Sequence, residues 1–176
     1  MLSLAKGISI VTVFTTLAVV PVEAGETWAL GFDSYGPVSV GMSPHEAASA
    51  LGTPLVLTGV TPDRECYFVE PENGPEGLAL LVADGRVQRI DVNSGAMQTG
   101  DGARVGQTEE AIRNLLGDRL DSPSVAAGPA GAAALAVVPP TGARSPYRMV
   151  FWQDGGRVSR ISSGETSWAI STKACR

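Results

Sequence analysis

Val40-Gly-Met-Ser-Pro-His-Glu-Ala-Ala-Ser-Ala-Leu-Gly-Thr-Pro-Leu55 and Val105-Gly-Gln-Thr-Glu-Glu-Ala-Ile-Arg-Asn-Leu-Leu-Gly-Asp-Arg-Leu120 align without a gap at an offset of 65 residues. Val, Gly, Leu, Gly and Leu coincide, and Ser43 falls on Thr108. Each stretch reads as a short helix. Ser43 or Thr108 is its N-cap, whose oxygen takes an orphan backbone N–H. Pro44 stands at the first helical position, where its missing N–H costs nothing, and Ser43 with Glu46 has the spacing of a capping box. Glu109 and Glu110 place negative charge in the first turn, where the helix dipole favours it. Ala111, Ile112, Leu115 and Leu116 make one apolar face. Gly52 and Gly117 end the helices by admitting a left-handed residue. Helices this short do not hold alone in water, so each must pack on something.

Moving outward, Leu78–Val82 runs through Ala83-Asp84-Gly85 into Arg86–Val92, and Tyr147–Trp152 runs through Gln153-Asp154-Gly155-Gly156 into Arg157–Ile161. Apolar runs joined by Asp-Gly are the strongest short hairpin signal. Gly-Arg-Val-x-Arg-Ile occurs in both hairpins, at an offset of 71. The six extra residues fall between helix and hairpin of the second copy, in the Ala-, Gly- and Pro-rich stretch 123–146. A strand over 132–138 is expected there, as the counterpart of Cys66-Tyr-Phe-Val69. Two segments matching in the same order indicate a duplication. The expected fold is α+β: two tandem helix-plus-antiparallel-strand repeats forming one helix-covered sheet. Repeat 1 spans 36–95 and repeat 2 spans 99–175, each in the order helix, strand, hairpin.

Residues 1–24 read as a secretory signal peptide. A charged start ending at Lys6 precedes an apolar run from Gly7 to Val20, and Val22 and Ala24 stand at the −3 and −1 positions of a cleavage site. The run is shorter than the roughly 20 residues a bilayer span needs. A periplasmic or secreted location is therefore expected, with no membrane span once the signal is removed. Among 176 residues there are 13 basic and 18 acidic, a net charge of −5. This mild acidity argues against nucleic acid, which wants clustered Lys and Arg. In an oxidising compartment the only two cysteines, Cys66 and Cys175, read as a disulfide.

No catalytic set is legible, and no cofactor or metal is expected. His45 is the single histidine and falls in the first turn of the first helix. Two distant cysteines and one histidine do not make a metal site. Ser162-Ser163-Gly164 is not a nucleophile elbow, and Gly100-Asp-Gly102 is followed by no phosphate-loop lysine. The candidate function is protein binding, as an inhibitor or an envelope assembly factor acting on another envelope protein. A small-ligand or glycan carrier is the alternative, and an unrecognised hydrolase the third.

Val-Gly-Met-Ser-Pro-x-Glu-Ala, the Cys-Tyr-Phe strand, Thr99-Gly-Asp-Gly-Ala-Arg-Val-Gly106 and Asp-Gly-Arg-Val-x-Arg-Ile together resemble the proteobacterial exported proteins with tandem β-lactamase-inhibitor-like repeats. The small outer-membrane assembly lipoproteins carry a single related unit. The resemblance covers about Gly36 to Cys175, and its motifs mark helix starts and hairpin turns. It implies binding of another protein, in the inhibitor case through the open face of the sheet. The chain departs from the lipoproteins in having no cysteine after the signal run.

Strand alternation then gives partner-binding candidates. Ile90 and Ile161 are expected to meet the helices, so Arg89 and Arg160 face outward. Tyr67 and Trp152 alternate with Phe68 and Phe151, and one of each pair points out. Arg and aromatic residues dominate interface hot spots, which selects Tyr67, Arg89, Trp152 and Arg160. Alternation puts Val87 and Ile90 on opposite faces, an apolar conflict that a bulge resolves.

Overall fold

The computed structural model describes residues 28–58, 66–121, 134–137 and 145–171. The signal segment 1–24 and Cys175 lie outside the described residues, as do the ends of the strand expected over 132–138. In chain order come β1 (Ala29–Leu30), β2 (Ser34–Tyr35), β3 (Val38–Ser39), α1 (Pro44–Leu51), β4 (Leu55–Thr58), β5 (Cys66–Pro71), β6 (Leu78–Ala83) and β7 (Arg86–Val92). Then follow β8 (Gln98–Thr99), α2 (Glu109–Leu116), a 3-10 turn (Gly117–Arg119), β9 (Leu120–Asp121), β10 (Ala134–Val137), β11 (Tyr147–Asp154), β12 (Arg157–Glu165) and α3 (Thr166–Ala169).

The helix-covered α+β expectation is corrected. Of the described residues 46% are in strands and 20% in helices. They form two sheets: β3-β2-β1-β8, and an eight-stranded sheet ordered β4-β5-β6-β7-β12-β11-β10-β9. The helices are too small to cover that sheet. α1 buries only Ala47, and α2 only Ile112 and Leu116. The four-stranded sheet shares the work: its Leu30, Tyr35 and Val38 join Ala47, Ile112 and Leu116 in one core with Leu80, Ile90, Phe151 and Ile161 of the large sheet. The sequence reading missed it because its strands are two residues long, too short to show alternation. The large sheet's face toward this core is the inner face below.

The large sheet is two antiparallel four-strand meanders joined where β7 pairs with β12. Each meander is latched to the turn before its helix by matching bonds. Gly41 N donates to Val87 O (2.7 Å) and Val87 N to Met42 O (2.8 Å). In the second meander Gly106 N donates to Val158 O (2.7 Å) and Val158 N to Gln107 O (2.8 Å). Arg86 Nη1 reaches Gly41 O at 2.9 Å, and Arg157 Nη1 reaches Gly106 O at 2.8 Å. So the first arginine and the valine of Gly-Arg-Val-x-Arg-Ile lock hairpin to helix.

Both hairpins carry a bulge at matching places. Leu81 pairs Arg89 but Val82 pairs Val87, leaving Gln88 extra; Trp152 pairs Arg160 but Gln153 pairs Val158, leaving Ser159 extra. The bulge brings Val87 onto the inner face with Ile90, and Val158 with Ile161, so Val87 and Arg89 do not share a face. Helix starts follow the sequence reading: Ser43 and Glu46 form a reciprocal box, and Thr108 Oγ1 accepts from Ala111 N. Gly52 is left-handed (φ 68°, ψ 19°). Gly117 has positive φ (52°) but ψ −128°, because the chain tightens into the 3-10 turn instead of ending there.

Candidate functional site

The second face of the large sheet is not open. Where β12 ends, the chain turns into α3 and runs to Ser171 as a short strap over this face. Thr166 N and Oγ1 both donate to Pro146 O, at 2.7 and 2.6 Å, fixing the strap's start to the entry of β11. Trp168 packs beside Cys66, Phe68, Leu81 and Ala83. Ala169 lies against Val150 and Trp152.

Under the strap sit three of the four sequence-selected residues, and their expected exposure is corrected. Arg89 is 1% exposed. Its Nε and Nη2 both donate to Asp91 Oδ2, at 3.2 and 2.9 Å. Its Nη1 donates to Trp168 O (3.0 Å) and Ser171 O (3.2 Å), and its guanidinium lies 5.5 Å from the Phe68 ring centre. Trp152 is buried, its indole N–H donating to Ser162 Oγ at 2.8 Å. Arg160, half-buried, stacks over Trp152 with 5.0 Å from guanidinium to ring centre. Burial lowers the Arg160 pKa from its ordinary value; Asp91 opposes that shift and Arg89 adds to it. Alternation placed the arginines on the face away from Ile90 and Ile161, but the stretch Thr166–Ser171 is too short to announce by any period that the chain would fold back over them.

Tyr67 goes elsewhere: it packs on the inner-face core, since its neighbour Phe68 takes the strap side. Cys66 is buried on the strap side; its expected partner Cys175 lies outside the described residues. Two buried polar atoms of the strap face have no hydrogen-bond partner among the described residues: Asp91 Oδ1 and Arg160 Nε. The sequence reading missed Asp91, whose place one strand-period from Arg89 was the available signal.

Two other features bear on function. Among the described residues β4 is an outer edge of the eight-stranded sheet, with Val56 41% and Leu57 62% exposed. A groove of about 720 Å³ is lined by Trp28, Gly31, Ser34, Gly36, Pro37 and Ala50. Among the described residues no group of three or more His, Cys, Asp or Glu side chains could hold a metal ion. Nor is any described helix long and apolar enough to cross a membrane.

No protein-family model and no curated protein matches the chain. Among solved structures it is similar to the uncharacterized protein YfeY from Escherichia coli, with 15% identity over 78% of this chain and 99% of that one and a TM-score of 0.49.

Proposed function

We propose that the protein is an exported, envelope-located protein-binding module that takes up an extended segment of another protein on β4. The carrying observation is the character of that edge. Sheet edges are ordinarily blunted by charge, proline or a covering element, because an unpaired ladder recruits strands. β4 reads Leu-Val-Leu-Thr with no charge, and Val56 and Leu57 are exposed on alternate sides of it. A strand added there gains main-chain bonds from the edge and apolar contact from both side chains. Glu70, paired with Val56 on β5, and Glu72 beyond it favour a basic residue in the incoming segment. The resemblance to inhibitor-like repeats agrees with a binding role. A photo-crosslinking residue at Leu57 should capture a protein in the periplasm, and a lysine at Val56 should abolish that capture. Capture at an exposed control position such as Leu115, with none at Leu57, would sink the proposal.

Removal of residues 1–24 and a Cys66–Cys175 disulfide belong to the same proposal. The intact mass of the exported protein decides both: a chain starting at Gly25 that resists thiol alkylation is expected, and a chain starting at Met1 with two alkylated thiols overturns it.

A second reading rests on the Trp28 groove, whose volume falls in the range of small-ligand sites. Trp28, edge-on to Tyr35 at 6.0 Å, offers an aromatic wall of the kind sugars stack on. Glycan binding there predicts a thermal shift with oligosaccharide that Trp28→Ala removes.

A further inference from the structure

The turn between β5 and β6 holds the start of β4. Glu72 N donates to Pro54 O at 2.9 Å, and Asn73 N donates to Thr53 Oγ1 at 3.1 Å. Both bonds reach from the end of β5 to the two residues that lead into β4. Glu72, Asn73 and Gly74 are all exposed. Asn73 is one of three asparagines in the chain, and the only one followed by glycine.

Space fixes that glycine. Gly74 is not one of the glycines with positive φ, so its backbone angles do not demand it. A Cβ at this position would stand 2.6 Å from both Cβ and Cγ of Pro71, and a proline ring that ends a strand has little freedom to yield. With no Cβ, residue 74 leaves its own nitrogen unshielded. Among the described residues no hydrogen bond holds the Gly74 N–H, and the Asn73 side chain makes none. The other two asparagines are placed differently. Asn114 precedes Leu115 inside α2, where each N–H bonds the carbonyl four residues back. Asn93 precedes Ser94, which carries a Cβ, and its Oδ1 rests against Gly77, where a Cβ would stand 2.3 Å away.

We propose that Asn73-Gly74 is a site of spontaneous covalent modification that ends in an isoaspartyl link and a new carboxylate beside β4. The Gly74 nitrogen loses its proton to solvent base and attacks Asn73 Cγ. The N–Cγ bond forms, the Cγ–Nδ2 bond breaks, and ammonia leaves with a proton from water. Water then opens the resulting succinimide. Attack at Cγ releases the Gly74 nitrogen and gives an ordinary aspartyl residue. Attack at the main-chain carbonyl carbon breaks that carbon's bond to the same nitrogen and gives isoaspartate, whose main chain runs through Cβ and Cγ. The net change is amide plus water to carboxylic acid plus ammonia, the reaction behind the thermal lability of asparagine.

Both products add a negative charge next to Glu72. The isoaspartyl product also lengthens the main chain immediately after the Asn73 N–H that holds Thr53. Its effect is to loosen the start of β4. The site exists whether or not another chain pairs with β4, so either proposal can fail alone.

Mass spectrometry of fragments from the folded full-length protein, aged in mildly alkaline buffer, tests the reaction. Conversion at Asn73 should run at least tenfold faster than at Asn93 or Asn114, with isoaspartate among the products. It should also run within tenfold of the rate in an unfolded peptide of residues 70–77, because the turn leaves the reacting atoms free. A preference below tenfold, or a folded chain more than tenfold slower than the peptide, overturns the proposal. Asn73→Gln, whose longer side chain must close a larger ring, should cut ammonia release from the aged protein at least tenfold; release at the parent rate overturns the assignment. The isoaspartyl form, separated from the parent by anion exchange, should exchange its β4 amides at least tenfold faster than unmodified protein. A smaller difference in β4 exchange overturns the effect on that strand.

Discussion

The two meanders share a framework and part company on one face. Both latch a Val-Gly turn to a hairpin valine, both bulge at the residue after it, and both set an arginine against an aromatic ring. In the first meander the residue two beyond that arginine is Asp91, and Arg89 is fully paired. In the second it is Ser162, and Arg160 has its ring but, among the described residues, no ion-paired carboxylate. Two meanders that keep the same backbone bonds yet differ in the charge around one arginine separate what the fold requires from what a binding face could use.

The largest effect should come from breaking that asymmetry at Arg89. Arg89→Ala leaves the Asp91 carboxylate buried without its ion-pair partner, a loss expected to cost about 3–5 kcal/mol. Arg160→Ala removes a cation–ring contact and an already unpaired N–H, and should cost about 1 kcal/mol or less. The double change Arg89→Met with Asp91→Leu should recover most of the Arg89→Ala loss. Urea unfolding of the four proteins decides it; equal costs for the two arginines would mean that the meanders are energetically alike.

The seam between the meanders offers the next test. Gly164 of β12 pairs with Arg89 of β7, and a Cβ there would stand 2.3 Å from Gln88 O. The bulge at Gln88 pushes its carbonyl toward the neighbouring strand, so only glycine fits. Gly164→Ala should cost about 3 kcal/mol through forced separation of the central strands. Gly100→Ala, at a glycine of ordinary φ with open space around it, should leave the exchange rates of the β7 and β12 amides unchanged. A Gly164→Ala protein with wild-type stability would mean that the strands can slide apart freely.

Much of this framework was legible in the sequence, and the reason is local chemistry. Asp-Gly turns, Ser43 with Glu46, and the apolar conflict between Val87 and Ile90 each report on a few neighbouring residues, so hairpins, caps and bulge could be read directly. The four-stranded sheet could not: β1 meets β8 in parallel across some 70 residues of chain, and no two-residue strand has a period. The strap was hidden for a similar reason. Thr166 to Ser171 mixes Trp168, Ala169 and Ile170 with three hydroxyl residues in a stretch too short to show a period, and the segment is held by the Arg89 guanidinium 79 and 82 residues away. Reading Gly-Arg-Val-x-Arg-Ile as one motif also merged two jobs, since its first arginine latches the fold and its second lies on the strap face.

The latches allow a test in which equality is the expected result. Arg86→Ala and Arg157→Ala each remove one bond to a glycine carbonyl from an exposed side chain, and Arg86→Ala also removes an exposed 3.8 Å ion pair with Glu46 that is worth little. Each should cost about 1 kcal/mol, and the two costs should agree within about 0.5 kcal/mol, measured by urea unfolding. A large cost at only one site would show that one meander depends on its latch and the other does not.

The smallest expected difference lies in the helix caps and appears only on acidification. Ser43→Ala and Thr108→Ala each remove an N-cap oxygen, at about 0.5–1 kcal/mol apiece. Only α1 has the second half of the box, because the residue matching Glu46 in α2 is Ala111. The Ser43 backbone N–H, then its hydroxyl, hold the Glu46 carboxyl below its ordinary value of 4.5, with Arg86 adding to the shift. A carboxyl depressed in the folded state stabilises fully above its unfolded pKa, and that contribution fades as pH falls through the folded value. Glu46→Ala should therefore destabilise at pH 7, and its cost should shrink steadily below about pH 4.5. Ala111→Glu, which builds the missing box on α2, should confer stability that fades over the same range. Urea unfolding at pH 7, 5 and 3 measures both. A Glu46→Ala cost that stays constant down to pH 3 would show that the side chain acts through packing and not through its charge.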